Sequence, residues 1–157
     1  SYYAAENADM ISSELARLKS VAGIKIETGR FHYLRLFMPV SYRILANCGI
    51  LEDYSMGYPE EPGFRAGISR PFHFYDLGSE TETKLLVFPF QVMDATLFQY
   101  KGLSAGKSSE VIHNMIDMTR KVGGVFVTVW HNTTLTDDDR GTEWRKVFEE
   151  MLDYQKP

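Results

Sequence analysis

Helical and strand-like segments alternate along this chain, and the alternation constrains its fold more than any other feature. Within residues 7–22, Met10, Ile11, Leu15, Leu18 and Val21 share one helical face, and Gly23 follows as a stop. Residues 24–26 and 30–37 read as extended. Pro39 opens a short predicted helix through Ala46, with Gly49 behind it. Residues 50–54 read as a strand, and residues 55–70, rich in Gly and Pro, as a long loop. Two further strands, 71–76 and 84–90, flank the polar turn "LGSETET". Ser104 is placed to cap a helix over 105–121, with Val111, Ile112, Met115 and Ile116 facing inward. The run 125–129 reads as a central strand buried on both faces. Thr142 is expected to cap a last helix, on which Trp144, Val147, Phe148, Met151 and Leu152 share a face. Strands alternating with helices predict βα units, hence an α/β class with a mainly parallel sheet.

The length, 157 residues, suits one ordinary domain. The net charge of −4 leaves no surplus of cations to neutralise phosphates, which argues against a nucleic-acid or anionic-membrane partner. No apolar run approaches the roughly 20 residues of a membrane span. The single cysteine, Cys48, excludes an internal disulfide and any multi-cysteine metal site. Compartment is left open, because the chain does not begin with Met.

The strand over 125–129 ends in Trp130 and His131. Ligands of α/β folds bind at the carboxyl ends of strands, and a histidine there suits general acid–base work. A packed histidine bonded to a backbone carbonyl is the plain alternative. In "GRFHYLR", period 2 puts Arg30 and His32 on one side of a strand and Tyr33 and Arg35 on the other. Such cations suit a carboxylate or another anion, or they line a solvated face. "GFRAG" brackets Arg65 with glycines inside the long loop, as a ligand clamp or as a surface turn. Asp53, Asp76 and Asp94 each lie in or just after a strand, where an aspartate serves as catalytic carboxylate, orients a base or caps a turn. His32, His73, His113 and His131 never occur at metal-ligand spacing, so no metal site is expected from this chain alone.

Five segments, "GRFHYLR", "GILEDYSMGY", "GFRAG", "FPFQVMDATL" and "VFVTVWHN", occur in that order between Gly29 and Asn132. Together they resemble the C-terminal half of bacterial polysaccharide deacetylases with the nodulation-type chitooligosaccharide deacetylase fold. The resemblance implies a distorted (β/α) barrel, present here in part. It also implies metal-dependent hydrolysis of N- or O-acetyl groups on an acetylated polysaccharide or oligosaccharide. In such enzymes an early Asp-rich motif and a later histidine pair hold a divalent metal such as zinc. Both motifs are missing here, so the chain is expected to be a C-terminal fragment of a larger catalytic barrel, with no cofactor of its own and no activity alone.

By position, Arg30 resembles the arginine that orients the base, and Arg35 is its rival. His131 resembles the late acid, and Asp53 the carboxylate that tunes it. The family's Arg-Pro-Pro-Tyr-Gly stands here as Arg30-Phe31-His32-Tyr33-Leu34, and no Asp-x-x-Asp-Trp follows Asp53. Arg65, His32, Arg35, Asp94 and Trp130 are the expected substrate-binding residues. The alternative reading is a non-catalytic carbohydrate-binding or scaffold module, with Tyr33, Tyr54, Tyr58, Phe64 and Trp130 stacking on sugar rings. A partial barrel has open sheet edges, so self-association is expected.

Overall fold

The structure, a computed structural model, describes residues 2–156. Two compact units divide the chain: one runs to Met56 and includes Pro71–Phe88, the other takes Gly57–Arg70 and the chain from Pro89 onward.

The first unit opens on helix α1 (Ala8–Ala22). Asn7 caps it by accepting from the Met10 N–H at 2.9 Å, and Gly23, at φ 69°, closes it by donating to Lys19 O. Strand β1 (Thr28–Gly29), helix α2 (Val40–Asn47), strand β2 (Glu52–Asp53) and the hairpin of β3 (Phe72–Asp76) and β4 (Thr81–Val87) complete the unit. The sheet runs β1-β2-β4-β3, with β1, β2 and β4 parallel and β3 antiparallel to β4. Alternation explains β3: Phe74 and Asp76 are buried while His73 and Tyr75 face out. Tyr42 and Leu45 of α2 are buried, and the Tyr42 ring meets Phe74 edge-on at 5.3 Å.

Residues 30–37 do not form the expected strand. After Gly29 the chain turns into a short 3₁₀ segment, His32–Leu34, in which Tyr33 and Leu34 take φ of 57° and 52°. Phe31 and Leu34, three apart, are the buried pair, so the apolar spacing is that of a turn rather than of a strand. The period-2 division of Arg30 and His32 from Tyr33 and Arg35 is therefore lost.

The second unit holds β5 (Val92–Met93), a π-helical turn (Thr96–Tyr100), α3 (Ala105–Lys121), β6 (Thr128–Val129) and α4 (Asp139–Tyr154). Strands β5 and β6 form a two-stranded parallel sheet, pairing Val92 with Thr128 and Met93 with Val129. The helix–strand core gathers Val92, Leu97, Ile112, Ile116, Trp144, Val147 and Met151, all at most 3% exposed. Truncating such a side chain to alanine costs about 2–5 kcal/mol.

Two expectations change here. The strand over 125–129 shrinks to Thr128–Val129, and it is neither central nor flanked on both sides. Val125 is 43% exposed and donates its N–H to Ser69 O instead of to a strand. Helix α4 starts earlier than Thr142, because Asp138 caps it by accepting from the Gly141 N–H at 2.6 Å. Asp and Thr both cap well, and Thr136 also bonds the Asp138 carboxylate.

The fold is thus mixed α/β with three parallel pairings and one antiparallel. Neither sheet closes on itself, so the described residues form no closed barrel.

Candidate functional site

In the second unit, β5 and β6 end side by side, and Asp94 follows the first as Trp130 and His131 follow the second. The ladder ends at Met93 and Val129, and the Asp94 side chain then extends it. Its Oδ2 accepts from the His131 backbone N–H at 2.8 Å, and its Oδ1 lies 2.6 Å from the ring Nδ1. The Ala95 N–H also donates to Oδ1, at 2.7 Å. Asp94 is fully buried, whereas the His131 side chain is 44% exposed. A carboxylate accepts, so Nδ1 carries the proton and Nε2 is the nitrogen left to exchange one with a substrate. This is the arrangement of an oriented acid–base histidine, with the carboxylate fixing tautomer and ring.

Arg65 sits in the same unit, on the long loop. Its Nη1 donates to Gly57 O at 3.1 Å. The loop is fastened at Gly63, whose N–H donates to Gln91 O at 2.8 Å, and at Pro59, whose carbonyl accepts from Thr96 Oγ1 at 2.7 Å. Lys101 pairs with Glu61 across the same loop. Trp130 is half-buried beside His131. Its ring packs against Phe148 at 5.0 Å and Trp144 at 6.4 Å, and its Nε1 is buried without a hydrogen-bond partner.

In the first unit, Asp53 is wholly buried at the end of β2. Its Oδ1 accepts from Tyr42 Oη and from the Ser55 N–H, each at 2.9 Å, and its Oδ2 accepts from Ser55 Oγ at 2.7 Å. Burial raises its pKa above the ordinary 3.8, while the bonds from Ser55 and Tyr42 pull the other way. Ser55 Oγ accepts in turn from the Phe31 N–H, which ties the turn after β1 to this carboxylate. Asp53 and Arg30 both line a half-open, mainly apolar cavity of about 290 Å³, together with Ile11, Leu15, Ile26 and Phe31.

The other two cations of this region are placed differently. Arg35 lies 3.8 Å from Glu6 and stacks over the Tyr2 and Phe37 rings. His32 is exposed and packs against the Tyr33 ring at 4.4 Å. Asp76 is engaged by Arg43 through a two-pronged pair, with Nε and Nη2 at 2.7 and 2.6 Å from the carboxylate oxygens.

The carboxylate on His131 is that of Asp94, one of the three strand-end aspartates expected to serve as a catalytic carboxylate, orient a base or cap a turn, and one of the expected substrate-binding residues. Gln91, only 1% exposed, was missed altogether. Its signal was present: a lone amide inside the apolar run "VFPFQVM". Among the described residues, no group of three or more His, Cys, Asp or Glu side chains is placed to hold a metal ion.

No protein-family model matches the chain, and no curated protein matches it. Among solved structures it is similar to the crystal structure of a protein from Mycobacterium smegmatis assigned as a polysaccharide deacetylase, with a TM-score of 0.67 at 20% identity. The likeness covers 96% of this chain and 52% of that one, so this chain spans about half the length of its relative. The fold of this chain is therefore that of about half of this polysaccharide-deacetylase-like structure.

Proposed function

We propose that this chain is the acid-supplying part of a metal-dependent polysaccharide or sugar deacetylase that hydrolyses N- or O-acetyl groups. The observation that carries the reading is the Asp94–His131 pair at the adjacent ends of two parallel strands. Asp94 holds the imidazole by Nδ1, and His131, as the imidazolium with both ring nitrogens protonated, gives its Nε2 proton to the leaving nitrogen or oxygen of the sugar as the bond to the acetyl carbon breaks. Arg65, with one guanidinium nitrogen on Gly57 O, keeps further donors for a sugar hydroxyl or carboxylate. Arg30 and Asp53 line one cavity of the first unit and are proposed as catalytic residues of the longer protein. The remaining half of a distorted (β/α) barrel, and the divalent metal such as zinc that it would carry, lie outside this chain.

Acetate release from an acetylated chitooligosaccharide tests the proposal. With added zinc the 157-residue chain alone should release none. A longer polypeptide that adds the uncovered half of the fold should be active. In it, His131→Ala should cut turnover by roughly 10² to 10⁴ without changing metal stoichiometry. Activity of the short chain, or full activity of the variant, would overturn the proposal. A non-catalytic carbohydrate-binding module remains the second reading, favoured by Tyr33 and Tyr58, which are 67% and 44% exposed. Sugar binding indifferent to acetylation, with no acetate released by the longer chain, would select it.

A further inference from the structure

We infer that Gln91 is the positioning residue of this site: its buried amide sets the strand register that brings His131 onto Asp94. Its main chain fastens the Arg65 loop to the same strand. The functional meaning rests on the reading of His131 and Asp94 given above, whereas the geometry does not.

The β5–β6 ladder has only two residue pairs. So short a ladder specifies register weakly, and a slip by one residue would turn every side chain beyond it, His131 included, to the opposite face. Gln91 precedes β5 by one residue and supplies what the ladder lacks. Its Oε1 accepts from the Val127 N–H at 2.8 Å, and its own N–H donates to Val127 O at 2.9 Å. Both backbone groups of Val127 are thus held by one residue. Its Nε2 donates to Pro89 O at 2.8 Å, which fixes the orientation of the amide. One acceptor and one donor at that reach are the chemistry of a glutamine; a carboxylate lacks the donor, and a methionine lacks the donor and offers only a weak sulfur acceptor. His131 lies four residues after Val127 and Asp94 three after Gln91, so fixing Val127 against Gln91 fixes the pair. Gln91 O also accepts from the Gly63 N–H at 2.8 Å, two residues before Arg65. One side chain and its backbone therefore join three segments, each bearing a site residue.

The test uses this chain and magnetic resonance, with no activity assay. In the native protein the proton on His131 Nδ1 should give a far-downfield signal, and the ring ¹⁵N shifts should report the tautomer protonated there. Gln91→Met keeps the bulk and removes the amide. It should abolish that signal and speed exchange of the His131 and Gly63 amides at least tenfold, while the Ile112 and Ile116 methyl signals stay in place. Ile116→Val, which loosens the core alone, should lower the melting temperature and leave the His131 signal unchanged. Should Gln91→Met fail to fold, exchange in the native protein decides. The Val127, Gly63 and His131 amides should then open together, with one denaturant dependence. A folded Gln91→Met protein with an unchanged Nδ1 signal, or three amides opening in unrelated transitions, would overturn the inference. Failure of the deacetylase assay would leave these readouts untouched, so the two proposals fail separately.

Discussion

Asp94 holds His131 at two points, the backbone N–H at 2.8 Å and the ring Nδ1 at 2.6 Å, from a position with no solvent exposure. Asp94→Asn keeps the shape but presents an amide, which can turn its NH₂ toward the ring and favour the other tautomer. The ring ¹⁵N shifts should then move toward the Nε2-protonated pattern. In the longer active polypeptide, turnover should fall by at least 10². Unchanged shifts would detach the carboxylate from the tautomer.

Arg43 grips Asp76 with two donors and holds its pKa at about 2, below the ordinary 3.8. A carboxyl whose folded pKa is lowered binds fewer protons folded than unfolded. It therefore stabilises the fold above the ordinary value, and that contribution disappears as pH falls toward about 2. Melting temperature followed between pH 4.5 and 2 should drop in the native protein and drop less in Asp76→Asn. A Cβ on Gly78 would collide with Arg43 Nη2. Gly78→Ala should accordingly displace the fork and reproduce the flatter acid profile.

Asp53 slopes the other way. Burial raises its folded pKa above 3.8, so the unfolded chain gives up this proton first. Its contribution is greatest below the ordinary carboxylate range and is lost as pH rises through the raised value. Denaturant midpoints of Asp53→Asn should decline less with rising pH above 4 than those of the native protein. Parallel profiles for the two proteins would refute the assignment.

Gly57 lies against the ring of Phe90, which is 1% exposed. A methyl group there overlaps three ring carbons. Gly57→Ala should cost about 1–3 kcal/mol in denaturant unfolding, as overpacking does. A cost below 0.5 kcal/mol would mean that the ring moves freely.

Strand β1 is an open edge of its sheet, and near it in sequence Leu18, Val21 and Ile24 are 51%, 81% and 64% exposed. Apolar side chains beside an unpaired edge favour association. The chain is expected to self-associate with rising concentration in light scattering, and Leu18→Lys with Val21→Lys should weaken that. A strictly monomeric native protein would remove the basis for the expectation.

Local signals were legible in the sequence and non-local ones were not. Gly23 and Ser104 mark helix ends because a cap is settled within one turn of chain, and α1 and α3 lie where the pattern placed them. Asp138 displaced Thr142 because two good capping residues stood near one another. The strands were overdrawn for the opposite reason. Residues 125–129 have the right composition throughout, yet only Thr128–Val129 find a partner, and that partner lies 36 residues earlier. Position alone singled out His131. Which of the strand-end aspartates would meet it was not readable, since no local pattern links residue 131 to residue 94. Tyr33 and Leu34 hid a left-handed turn inside a stretch of strand-forming residues.

The parallel pairing of β5 with β6 has a consequence for the order in which this protein assembles. Parallel neighbours cannot be joined by a hairpin, and here the return path is a π-turn and the 17-residue helix α3. A separation of 37 residues must close before Asp94 and His131 meet, and loop-closure entropy opposes that step until α3 offers its apolar face. The Asp94–His131 pair is therefore expected to form late in folding, after helix α3. Weakening Ile112 or Ile116 should delay the appearance of the His131 Nδ1 proton during refolding more than it delays the helical signal.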